Sequence, residues 1–289
     1  MDNKTKIRWP GNAKIAVSIV VNVEEGSEMS VKEKDDKGME PVDELGVFVK
    51  KPIRNFSNES NYEYGIKAGF PRIAYLLDKY DIKCTWTTCA LSLERAPHIA
   101  KYIRENGHEA CSHGYRWVHQ FRFSKDDERS FIRKATDSIK KTTGTRPYGW
   151  LSRYLLTENT RKLLAEEGYR YHMDDYSDDI PFWDNKKKII ILPYAIDTND
   201  MKFWTDPALT PEQWLKYAID TFEGSPEYFY AGISDIVTAT NKIEELTWEA
   251  ITWNISSAPQ LASAGAAFRA SCMKNDYNAG LGILLWIKN

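Results

Sequence analysis

The chain has 289 residues, a formal net charge of −2 and 42% hydrophobic residues, which is enough to bury one large core. That charge offers no basic field for nucleic acid or anionic lipid and points to a small, nearly neutral substrate. The start MDNKTKIRWPGNAK is too polar for a signal peptide, and no apolar run approaches the ~18 residues of a membrane span, so a cytoplasmic protein is expected.

The first predicted element is a strand over KIAVSIVVNVEE (14–25), whose β-branched run reads as buried on both faces and stops at Glu24 and Glu25. A polar loop, residues 26–62, follows, with the charge run KEKDDK. IKAGFPRIAYLLDKY (66–80) places Ile73, Leu76, Leu77 and Tyr80 on one helical face, with Pro71 in the first turn. KCTWTTCA (83–90) reads as the second strand and APHIAKYIREN (96–106) as the second helix, stopped by Gly107. EACS is the third strand, and it opens onto His113 within GHEACSHGYRWVH (107–119). Ser124 with Asp127 marks the N-terminus of a long helix to about Lys141. RPYGWLS (146–152) is the fourth strand and TENTRKLLAEEG (157–168) the fourth helix. Two strands follow, YRYHMD (169–174) and KKIIILPY (187–194), on either side of the acidic loop DYSDDIPFWD. Thr210, Pro211 and Gln213 supply the cap of a helix running to Gly224. Repeated β then α, without an internal sequence repeat, predicts one α/β domain over residues 1–289, either a parallel barrel or a doubly wound sheet. Beyond about residue 230 the elements lose their caps, and no histidine follows His172.

In parallel folds the C-terminal ends of the strands face the site, so Glu24, Glu25 and His113 are expected to converge there. Two carboxylates and an imidazole suit hydrolysis, since adjacent acids split their titrations and one can act as base. The alternative is a pair of solvated loop acids and a structural histidine. A zinc clamp would place a second imidazole four residues after His113, and position 117 is Trp. Arg146 could orient a carboxylate or pair with a surface acid, and Asp197 to Asp200 form a hydrogen-bonding cluster at a strand end. Trp86, Trp117 and Trp150 could wall a flat heterocycle or fill the core. The four cysteines lack any CxxC spacing and are expected to be buried thiols.

Taken in order, VNVEEGSE, NYEYGIKAGFPR, HGYRW, TRPYGW, the DDIPFW loop and LPYAIDTNDMKF resemble the polysaccharide deacetylase superfamily (carbohydrate esterase family 4, with chitooligosaccharide deacetylase homology). Within it they resemble the branch of metal-independent allantoinases, from about residue 9 to about 225. The resemblance implies a distorted (β/α) barrel of about seven parallel strands and hydrolytic opening of the hydantoin ring of allantoin to allantoate. It also implies a homotetramer and no cofactor. Glu24 and Glu25 stand where deacetylases carry an Asp pair, and Trp117 where they carry a second ligand histidine. Glu24 would then be the base, with Glu25 and His113 positioning water and ring, and Trp86, Tyr115, Arg116, Trp117, Arg146, Trp150, Asp197 and Asn199 lining the substrate. The family's late Leu-His motif is missing from residues 230–289, either by divergence or by a shifted reading frame, although the Gly-bounded run GLGILLWI could still close the sheet. The competing readings are a cyclic-imide hydrolase, a zinc-dependent polysaccharide or peptidoglycan N-deacetylase, and a catalytically silent homologue.

Overall fold

The computed structural model describes residues 15–35, 52–178 and 180–194, scattered positions between 210 and 220, and the backbone of 228–233 and 284–287. Its strands are β1 (Ile15–Val23), β2 (Thr85–Thr88), β3 (Glu109–Ser112), β4 (Gly149–Trp150), β5 (Tyr171–His172), β6 (Phe182–Asp184), β7 (Ile189–Ile191), β8 (Tyr228–Ile233) and β9 (Leu284–Ile287). They form one sheet in the order β6-β7-β5-β4-β3-β2-β1-β8, with β9 pairing β1 separately. From β8 through β1 to β5 and β7 every neighbouring pair is parallel, so seven strands share one direction. The sheet curls as an open half-barrel, with antiparallel additions at β6 and β9. This is the distorted parallel barrel that the sequence implied.

The helices are α1 (Phe56–Tyr64), α2 (Phe70–Lys79), α3 (Ala90–Arg95), α4 (Pro97–Glu105), α5 (Lys125–Thr143) and α6 (Thr160–Glu166). A π-helical turn, Gly65–Gly69, joins α1 to α2, so the polar stretch read as loop to residue 62 is helical from Phe56. FSNESNYEY has no apolar stripe to announce it. Ser124 caps α5 through its side chain, and Gly144 ends that helix in the left-handed conformation. Thr210 and Gln213 exchange the two bonds of a capping box, at 2.8 and 3.3 Å.

Alternation along β1 sorts the two faces of the sheet. Val17, Ile19, Val21 and Val23 pack with Ile73 and Leu77 of α2, Ile99 and Ile103 of α4, and Ile132 and Ile139 of α5. Ser18, Asn22 and Glu24 therefore face the inside of the curl. Asn22 lies level with Thr87 and Thr87 with Cys111, while Thr85 lies level with Glu109. Inside, Thr85 Oγ1 and Tyr171 OH each donate to the Glu109 carboxyl at 2.9 Å. Tyr171 reaches Glu109 by crossing Gly149, where an added Cβ would stand 2.1 Å from the tyrosine Cζ. Gly149→Ala should cost roughly 1–3 kcal/mol, the range of an overpacked core, read as a lower denaturant midpoint with unchanged slope. An unchanged midpoint would show that the ring can move aside.

Candidate active site

Each strand end hangs on its neighbour, which brings the C-terminal edge into register. Cys89 N–H donates to Val23 O, His113 N–H to Thr88 O, Leu151 N–H to Ser112 O and Met173 N–H to Trp150 O, at 2.8–3.0 Å. Glu24 and His113, 89 residues apart in the chain, meet on this edge. His113 Nε2 lies 2.8 Å from Glu24 Oε1, and His113 Nδ1 lies 2.6 Å from the Leu151 carbonyl. Both groups are buried, at 4% and 7% exposure. Asn22 Nδ2 donates to the same Glu24 oxygen at 3.0 Å, and Thr87 Oγ1 in turn donates to Asn22 Oδ1.

This wiring constrains where the His113 ring carries its proton. A carbonyl can only accept, so Nδ1 carries a proton, and an ionised Glu24 requires Nε2 to donate as well. Burial alone would pull the imidazole's proton affinity down. The hydrogen bond and charge of Glu24, the Leu151 carbonyl and the charge of Asp174 outweigh it, and the pKa of His113 stands above its ordinary value. Glu24 and His113 thus form a buried carboxyl–imidazole pair joined by one short hydrogen bond.

Of the other residues expected here, Glu25 is buried beside the pair, but it turns back, with Oε2 accepting from the Glu24 backbone N–H at 3.1 Å. Trp117 N–H donates to Ser27 O, and Arg116 grips Asp35 through two bonds of 2.8 and 3.0 Å while also holding the carbonyls of Ser27 and Glu28. HGYRW and EEGSE therefore brace one another, which makes Arg116 an anchor of the loop. Burial raises the Asp35 carboxyl, but its bonds from Arg116 and from Ser30 N–H bring it below its usual value.

Four expectations are corrected. Trp86 is fully buried on the helix side against Phe70, Tyr102 and His108. Trp150 packs on Phe131 and Tyr169 on that same side. Tyr115 points to Glu94, with Lys134 over its ring. Arg146 lies at the opposite edge of the sheet, donating to the Glu167 carbonyl that ends α6. Asp197 and Asn199 lie outside the described residues.

Sequence reasoning missed Asn22, Asp174 and Arg153. Asn22 sits two residues before Glu24 and shares its face by strand alternation, which was a readable signal. Asp174, just past β5, accepts from Ser152 N–H at 2.8 and 3.0 Å. Arg153, just past β4 and 4% exposed, lies 3.6 Å over the Trp117 ring.

The sequence profile of the polysaccharide deacetylase family matches residues 59–172. A polysaccharide deacetylase homologue of Schizosaccharomyces pombe is 30% identical over 298 residues, covering 90% of this chain and 92% of its own length. The chain belongs to the polysaccharide deacetylase family. Two crystal structures share 31% identity with it at a TM-score of 0.77, covering 88% of this chain and 87% of theirs: a probable polysaccharide deacetylase from Pseudomonas aeruginosa PAO1 and the Puue allantoinase. The family is one of hydrolases that act on amide C–N bonds.

Deacetylase chemistry of the zinc-dependent kind needs a compact ligand set, and the described residues around His113 do not supply one. His113 Nε2 is engaged by Glu24, the residue four positions on is Trp117, and the Arg153 cation lies over that indole. Among the described residues no three His, Cys, Asp or Glu side chains stand together as a metal site. Cys84, Cys89 and Cys111 are buried free thiols, as expected, and Cys272 lies outside the described residues. Burial and then the Glu24 charge push the Cys89 thiol well above its usual value, so it is no nucleophile at neutral pH.

Proposed function

We propose that this chain is a metal-independent hydrolase of a small cyclic amide, and that it opens the hydantoin ring of allantoin to allantoate. The buried Glu24–His113 pair carries this reading, because it provides an acid and a base where a metal-bound water would otherwise be needed. Glu24 takes the proton of the attacking water. His113 holds that carboxylate in place through the 2.8 Å contact and gives a proton to the departing ring nitrogen. Resemblance to the Puue allantoinase over most of both chains supports the ring as substrate. A cytoplasmic homotetramer that works without a cofactor is part of the same proposal, and size-exclusion chromatography tests the assembly. No helix among the described residues is long and apolar enough to cross a membrane.

The deciding experiment is ureide consumption by purified protein before and after dialysis against a strong chelator, with metal analysis. We expect allantoin turnover to be the same in both samples. Loss on chelation with return on adding zinc would assign the chain to the N-deacetylase chemistry named for its relatives. Turnover of cyclic imides but not of allantoin would move the substrate to that ring. A second reading, a catalytically silent homologue, is favoured by the lack of any histidine after His172. It predicts no turnover of either ring in any sample.

A further inference from the structure

Strand interiors avoid asparagine, and burying its amide is costly unless both ends are bonded. Asn22 nevertheless stands within β1, 4% exposed, inside the curl and level with Thr87 of β2. Both ends of its amide are used: Thr87 Oγ1 donates to Oδ1, and Nδ2 donates to Glu24 Oε1 at 3.0 Å. Turned over, the amide would set its oxygen against an ionised carboxyl oxygen, so the contact with Glu24 decides which way it points.

The consequence lies in how Glu24 is held. Its N–H donates to Glu25 Oε2 at 3.1 Å, and its carbonyl accepts from Ser27 N–H at 3.1 Å and from Ser27 Oγ at 2.6 Å. Oε1 meets His113 Nε2 at 2.8 Å as well as Asn22 Nδ2. Three of the four polar atoms are therefore committed. Oε2 accepts no hydrogen bond from any described residue and keeps contact with solvent, in a side chain that is 9% exposed. A carboxyl tied by one donor can pivot about that bond and present either oxygen. Two donors on the same oxygen, one from β1 itself and one from the end of β3, remove the pivot and fix the direction in which Oε2 points.

We propose that Asn22, itself held by Thr87, is a positioning residue that clamps Glu24 by Oε1 and so makes Oε2 the atom that takes the proton of the attacking water. The proposal rests on the reading of Glu24 as the base of a cyclic-amide hydrolase. In that reaction the water proton goes to Oε2 and the water oxygen bonds to the carbonyl carbon. The C–N bond then breaks with its electron pair going to nitrogen, which takes a proton from His113. Glu24 ends with one proton more and His113 with one fewer, and exchange with solvent restores both. A base held in one direction meets the water already near its attack geometry, which lowers the barrier without any new contact to the substrate.

Kinetics with hydantoin separate this role from a merely structural one. Asn22→Leu keeps the bulk of the side chain and removes the donor. It should lower kcat roughly 10- to 100-fold, the effect of misplacing a reacting group by about 1 Å, with KM within about 3-fold. Thr87→Val, which frees the amide, should lose less, and Thr87→Ser should recover most of that loss. These two also carry the test if Asn22→Leu does not fold. Added to Glu24→Gln, Asn22→Leu should cost no more than about a further 3-fold, because the clamp has no carboxylate left to hold. Losses that multiply in that double variant overturn the proposal, as does an Asn22→Leu enzyme with wild-type kcat. Crystal structures read the clamp without turnover: the Glu24 carboxyl should have one orientation in wild type and a second in Asn22→Leu. An unmoved carboxyl in both Asn22→Leu and Thr87→Val overturns the proposal. A carboxyl that moves, in a protein whose wild type opens no ring, keeps the clamp and overturns the hydrolase reading alone.

Discussion

Glu24→Gln is expected to lower hydantoin turnover by roughly 10²–10⁴-fold, the range of a lost acid–base group, while the protein stays folded. His113→Ala should fall by a similar factor. Because the two side chains act through one 2.8 Å bond, the double variant should be little worse than either single one. Strictly multiplicative losses would mean that they work separately. His98→Ala is the control: it lies exposed on α4 against Phe70 and should keep near-wild-type turnover. The pH profile carries an independent signature. His113 must hold its proton to act as acid, so activity should be lost on the basic side, as pH rises through a pKa above the usual histidine value. In Glu24→Gln the carboxylate that raises it is gone and burial remains, so the imidazole should titrate lower by NMR. An unchanged titration would show that the pair is not formed in solution.

That pair was legible because each member closes a strand with a clear apolar signature. VSIVVNV and EACS are each followed at once by a titratable residue, Glu24 and His113, and parallel topology places such ends together. What surrounds the pair was not legible, because it depends on register and on bends. Trp150 stands close to a strand end in sequence, yet the pairing of Ser112 with Trp150 puts it on the face opposite to Cys111 and His113. Only the three-dimensional alignment of β3 and β4 decides that. Trp86 fails by the same parity, since Thr87 on its neighbour's face is the residue that meets Asn22. Arg153 and Asp174 come after strands of two residues each, where the chain has already left the alternation that would have shown their direction. The strand β6 was read as an acidic loop because PFWD is short and its pattern half-exposed. Of the tail, GLGILLWI supplies β9 against β1, and the intervening residues lie outside the described part.

Stability should fall as pH rises through the range of Glu109, and by an amount that one substitution isolates. Glu109 is buried inside the curl, below the Glu24–His113 pair, facing Thr85 and Tyr171 with Cys111 on its own strand. Burial pushes its carboxyl up to about 7, against the pull of the Tyr171 and Thr85 hydrogen bonds. An acid whose folded pKa is raised gives stability that is complete below its unfolded pKa, near 4.5, and lost as pH rises through the folded value. Across that window the loss from this one group is on the order of 3 kcal/mol. The neutral acid can donate to Thr85 Oγ1 and accept from Tyr171, and glutamine can do the same with its amide. Glu109→Gln should therefore be close to wild type at pH 4.5 and more stable at pH 8, by a few kcal/mol in denaturant titrations. The difference between the two proteins cancels the contribution of His113, whose own raised pKa adds a loss at higher pH. Parallel stability curves for wild type and Glu109→Gln would mean that Glu109 ionises in the folded protein as freely as in the unfolded chain.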